Sequence, residues 1–243
     1  MTAERWARAV RQQLGLGRLL PLGGARDGAW ITERAAAELL LRAARDVTGA
    51  HLGTLRLGPA GPGGTEESAV PRPPSALPPG PLRLTADFTA TAAVPLPDTA
   101  SRLRLVLATA AGEGVGLAVT EVDLRVSGLL DDEEPPAPSP EAEPLAPTAP
   151  APDSADADEA RAAVAALSVP GVIRLTGALG GVGRAVHIEE RREESALARR
   201  HVRVEVAVDA AYRTLDVARQ VRAAVGDALR DHPTVAVLVT AVG

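Results

Sequence analysis

The stretch "HVRVEVAVDAAYRTLDVARQVRAAVGDAL", residues 201–229, changes its hydrophobic period halfway, and that change decides the fold class. Val202, Val204, Val206 and Val208 fall at every second position, with Arg203, Glu205 and Asp209 between them, which is the pattern of a strand with one buried face. From Thr214 the apolar residues Leu215, Ala218, Val221, Val225 and Leu229 recur at three- and four-residue steps, so the chain turns helical. Thr214 is placed to cap that helix, and Asp216 suits its positive end.

Working outward, the same order of elements occurs twice. After Thr32 as a cap, "ERAAAELLLRAARDV" predicts a helix with Ala36, Leu39, Leu40, Ala43 and Val47 on one face. "GAHLGTLRL" and "LRLTADFTATAAV" read as strands, "PDTASRLRLVLATAAG" as a helix and "GLAVTEVDLRVSGLL" as a closing strand. The second copy runs "DEARAAVAALS" as helix, "GVIRLTGAL", "RAVHIEE" and "HVRVEVAVD" as strands, the helix from Thr214, and a last strand "TVAVLVTAVG". This order predicts an α+β fold of two small two-layer domains, each a mixed or antiparallel sheet with two helices on one face.

Two segments interrupt the pattern. "DDEEPPAPSPEAEPLAPTAPAPDSADAD" has almost nothing apolar larger than alanine and reads as an acidic, proline-extended linker. "GPAGPGGTEESAVPRPPSALPPGP" reads as a flexible loop within the first half. The expected organisation is therefore an N-terminal amphipathic segment at 1–25, a first domain at 26–130 with a disordered loop at 58–81, a linker at 131–155 and a second domain at 156–243.

Composition excludes several function classes. The chain has 46% apolar residues but only 2% aromatic ones, so its cores must be built from Ala, Val and Leu. A net charge of −5 argues against general nucleic-acid binding, and the absence of cysteine removes disulfides, thiolate metal sites and cysteine nucleophiles. No apolar run reaches the roughly 20 residues a membrane-spanning helix needs, and the charged start "MTAERWARAVRQQ" is not a signal peptide. A cytoplasmic protein is expected. His51, His187, His201 and His232 show no metal-ligand spacing, no Gly-x-Ser-x-Gly elbow occurs, and "GALGGVG" lacks the lysine of a phosphate loop. No catalytic residue, cofactor or metal is expected.

The second half resembles the alkaline-shock, or general-stress, protein family of Gram-positive bacteria. The resemblance rests on the turn Val169, Pro170, Gly171, Val172; on the strand 202–208 followed by Tyr212; on Val217, Gln220, Val221 and Val225 in the next helix; and on Val235, Val237 and Val239 in the last strand. Arg213 stands where the family usually has glycine, and Ala241 replaces a late glycine. The first half is similar more loosely, through "WITERAAAELLLRAARDVTGAHL" and "VTEVDLRVSGLL". Related actinobacterial chains are sometimes labelled after a nucleopolyhedrovirus fibrillar protein, a label that follows composition. The resemblance implies a non-enzymatic scaffold in envelope stress, self-associating or held at the membrane by a small anchored partner protein. The alternative is a nucleic-acid binder of KH type, which would need a Gly-x-x-Gly loop beside a basic groove; neither is visible.

Five residues are candidate contacts. Trp6, Val10 and Leu14 share one face of a basic N-terminal helix, which can pack on its own domain, dock into a partner or touch a lipid surface. Leu238 and Val242 lie in a last strand that is apolar on both faces. One face covers the chain's own helices; the other needs the sibling domain, a second copy or a partner.

Overall fold

The computed structural model describes residues 17–61, 67–130, 157–179, 184–191 and 199–243. The chain is α+β: among these residues four α-helices and nine strands form two sheets. In order they are β1 (Leu19–Leu22), β2 (Ala29–Thr32), α1 (Glu33–Ala44), β3 (Ala50–Pro59), β4 (Leu82–Thr91) and α2 (Leu96–Thr109), which continues into a π-helical turn (Ala110–Val115). There follow β5 (Val119–Leu130), α3 (Ala157–Leu167), β6 (Val172–Leu175), β7 (Val186–Arg191), β8 (Arg199–Val208), α4 (Thr214–Ala228) and β9 (Thr234–Val242). The linker and the candidate contacts Trp6, Val10 and Leu14 lie outside the described residues.

The period change seen in the sequence is the junction of β8 and α4. Val202, Val204, Val206 and Val208 are all fully buried, and α4 buries Leu215, Ala218, Val221 and Val225 against them. Thr32 caps α1 as expected, accepting the Ala35 N–H at 3.3 Å. Thr214, by contrast, does not cap α4. Arg213 takes the N-cap position without a side-chain cap bond, and Thr214 is the first helical residue.

The repeat is a topological one. In the first half β3 pairs antiparallel with β4, and β4 pairs parallel with β5 through the α2 crossover. In the second, β7 pairs antiparallel with β8, and β8 pairs parallel with β9 through α4. β6 shares the outer edge of β8 with β7, end to end, so that Leu175 faces Val206 and Val186 faces Val204.

The sheets do not divide at the linker. β1 and β2, from the start of the chain, join the second-half sheet, where Ala29, Trp30 and Ile31 run parallel to Val237, Leu238 and Val239 of β9. The order is β1-β2-β9-β8-β6, with β7 also on β8, beside a separate sheet β3-β4-β5. Residues 19–22, read from the sequence as the tail of an amphipathic segment, are thus a wholly buried edge strand that tolerates Pro21 because an edge needs fewer ladder bonds. One core cluster contains Leu40, Phe88 and Leu103 from the first half and Val204, Val221 and Val237 from the second.

Residues 67–81, read as part of a flexible loop, lie over this sheet. Leu77 N–H donates to Leu19 O at 2.8 Å and Ala69 N–H to Ala25 O at 2.8 Å. Val70 is buried with Leu19, Trp30, Ala236 and Leu238 in a second cluster, and the Trp30 indole N–H donates to Leu77 O at 3.4 Å. A proline-rich segment can serve as such a cover because it packs side chains without needing a ladder of its own.

Candidate interaction surface

The last strand is covered on both faces by the chain itself. Leu238 is 1% exposed, packed in the cluster formed by Leu19, Trp30 and Val70. Val242 is also buried, but in the main core with Val235, Val237 and Val239. It changes face because the β8–β9 register slips by one residue, Val206 facing Val239 and Ala207 facing Ala241. The extra residue is Thr240, whose hydroxyl turns to the Thr176 hydroxyl at 2.7 Å. A bulge of this kind reverses the alternation beyond it.

Among the described residues β5 is one of the two unpaired edges of the three-stranded sheet, β3 being the other. It ends the three-stranded sheet, whereas its counterpart in the repeat, β9, carries β2 along its outer side. Opposite the buried β4 residues Leu82, Leu84, Ala86, Phe88 and Ala90 stand Val119, Val122, Leu124, Val126 and Leu129. Cover fails toward the end of the strand: Val126 is 41% and Leu129 61% exposed. The other face carries Glu121, Asp123 and Arg125. Arg83 of β4 donates to Glu121 at 2.6 Å and lies 3.5 Å from Asp123. Arg125, exposed beside them, has no ion pair among the described residues.

The remaining charged clusters are structural. Asp27, in the β1–β2 turn, accepts from Arg219 of α4 at 2.8 and 3.2 Å and from the Gly24 N–H at 2.7 Å. Burial pushes its carboxyl upward, but the Arg219 and Gly24 bonds and the charges of Arg219 and Arg222 outweigh that and leave it below the usual range. Glu205, fully buried on β8, accepts the Leu179 N–H at 2.9 Å and ties the segment after β6 to the sheet. His187, on β7, is held below the ordinary histidine value by burial and then by the charge of Arg203. His201 Nδ1 lies 2.9 Å from the Thr234 hydroxyl. No group of three or more His, Asp or Glu able to hold a metal occurs among the described residues, and none of their helices is long and apolar enough to cross a membrane.

Against known proteins, no family model and no curated protein matches the chain.

The β5 edge escaped the sequence reading because alternation reports which face of a strand is buried, not whether both its edges are paired. The one legible signal was "VDLRV": a strand in which the central leucine is flanked by an acid and then a base, with a valine on each side.

Proposed function

We propose that this protein is a non-catalytic interaction protein that assembles by pairing two β5 edges, one from each of two copies. The observation that carries the reading is the self-complementarity of the unbulged run Glu121–Val126. In an antiparallel pair centred on Leu124, Leu124 meets its own copy, Val122 meets Val126, and Asp123 meets Arg125 twice over. Apolar pairs then lie on the helix side and opposite charges on the solvent side, each pair contributing roughly 0.2–1 kcal/mol. Two three-stranded sheets become one of six strands, and the exposed backbone edge is closed.

So short a contact is at the small end of protein interfaces, which points to a concentration-dependent dimer and to a scaffold whose assembly responds to its abundance. The resemblance to the alkaline-shock family supports a place in envelope-stress homeostasis, cytoplasmic and near the membrane through an anchored partner. The test is sedimentation of the intact chain over roughly 10–500 µM. Arg125→Asp sets like charges against each other and should abolish the dimer, while Asp123→Arg with Arg125→Asp restores opposite pairs and should recover it. A mass unchanged by Arg125→Asp would overturn the edge-pairing reading.

A further inference from the structure

The two edges of the three-stranded sheet differ in what stands against pairing. Along Glu121–Val126 the β5 edge has no proline, no bulge and, among the described residues, no side chain bonded to its backbone. The β3 edge is guarded at three places. A bulge interrupts it between Leu52 and Leu55, Pro59 has no N–H to offer, and the backbone of Leu57 is already bonded by side chains. Bulges and prolines protect edge strands in many proteins. The third guard is particular to this chain.

The ladder shows which groups point outward. Leu82 N–H donates to Ala118 O, so Leu82 and, by alternation, Leu84 and Ala86 turn their backbone groups toward β5. Their partners on β3, Leu57 and Leu55, therefore turn theirs away from β4 and out of the edge. In the parallel ladder Leu84 and Ala86 bond the residues flanking their partners, which leaves Val122 and Leu124 pointing out of the opposite edge.

At Leu57 both outward groups are taken. Its N–H donates to Glu33 Oε1 at 3.2 Å, and Arg18 Nη2 donates to its carbonyl at 2.9 Å. Arg18 Nε lies 3.6 Å from Glu33 Oε2, and Glu33 N–H donates to Arg18 O at 2.8 Å. The two residues thus form one unit, held between the start of β1 and the first turn of α1. An acceptor for the N–H and a donor for the C=O of the same residue is what a neighbouring strand supplies. The pair fills the place of such a strand.

One strand of this chain fits that place. When β5 of a second copy lies antiparallel on β3 with Asp123 opposite Arg56, Val122 stands opposite Leu57 and Leu124 opposite Leu55. The apolar pairs fall on the helix side. On the solvent side Arg56, exposed and without an ion pair among the described residues, meets an acid. A contact of this kind joins two unlike surfaces, so it repeats from copy to copy without closing.

We infer that the Arg18–Glu33 pair is an assembly guard, which closes β3 to the β5 strand of another copy and so confines assembly to the closed β5–β5 dimer. The inference rests on the proposed β5 pairing for the dimer and on the Leu57 bonds for the guard. Of the three guards this one alone is held by side-chain bonds, so it alone can open without refolding β3.

The test is sedimentation and light scattering of the full chain over roughly 10–500 µM, with circular dichroism to follow the fold. Arg18→Ala removes the bond to Leu57 O and the partner of Glu33, and its mass should keep rising past that of the dimer. Adding Arg56→Asp sets like charge against Asp123 and should bring the limit back to the dimer, whereas association through a loosened fold would not respond to that exposed charge. Arg18→Ala with Arg125→Asp should still grow, because position 125 lies beyond the Arg56–Asp123 pair. An Arg18→Ala chain that stops at the dimer, growth that Arg56→Asp leaves unchanged, or growth lost on adding Arg125→Asp overturns the inference. An unmodified chain that stays monomeric overturns the β5–β5 dimer instead, and growth of the Arg18→Ala chain then reports the guard by itself.

Discussion

At the scale of single residues, two positions show how local chemistry sets stability. Gly171 holds φ at +90°, and a Cβ there would sit 2.9 Å from Cγ of the Tyr212 ring and 2.8 Å from Val217 Cγ2. Gly171→Ala should therefore cost about 1–3 kcal/mol through strain and the close contact, read as a lower denaturant midpoint. His187 governs an acid response. Burial first, then Arg203 and Arg184, oppose its protonation, while the Arg184 backbone bond and Glu159 favour it less strongly, so the folded chain binds the proton later than the unfolded one. Above about pH 6.5 the two states match in protonation; below it the unfolded chain takes up the proton first and stability falls. His187→Gln should flatten the loss of melting temperature between about pH 7 and 5. Of these two residues the glycine was legible in the Val-x-Gly-Val turn. The histidine was not, because its environment comes from neighbouring strands that only the folded register brings together.

At the scale of elements, period and caps carried the reading a long way and pairing carried it no further. Most helices and strands from α1 onward are visible as runs of period 3.6 or 2, because Ala, Val and Leu supply most of the core. β1 and β2 were missed because all four residues of each are buried, so neither shows an alternation, and Pro21 spoils the first. The bulge at Thr240 was equally hidden, and with it the side on which Val242 lies. Leu238 illustrates the consequence: apolarity on both faces of β9 signalled a second cover, and the cover is Trp30 with residues 67–77. Leu238→Ala should cost about 2–5 kcal/mol, as for a core leucine, and Trp30→Ala a similar amount. Thermal unfolding of the two variants measures both, and an unchanged melting temperature in either would mean that the second cluster does not support the sheet.

At the scale of the whole molecule, the parallel pairing of β2 with β9 makes the start of the chain part of the second-half sheet. Residues 156–243 alone contain β8, α4 and β9, the elements that carry the valine core of the second half. They lose the strand along the edge of β9, the cover of Ala236 and Leu238, and the Asp27–Arg219 pair. An apolar strand bared on one edge and one face is a site for pairing with other chains. The isolated fragment should therefore melt at lower denaturant than the same residues in the intact chain, and it should self-associate. Residues 17–130 supplied as a separate chain should suppress that association, since they restore β1, β2 and residues 67–77 together. Light scattering with amide exchange at Val237 and Leu238 checks the outcome. A fragment that stays monomeric, with those amides as protected as in the intact chain, would show that β2 lies against a sheet already complete without it.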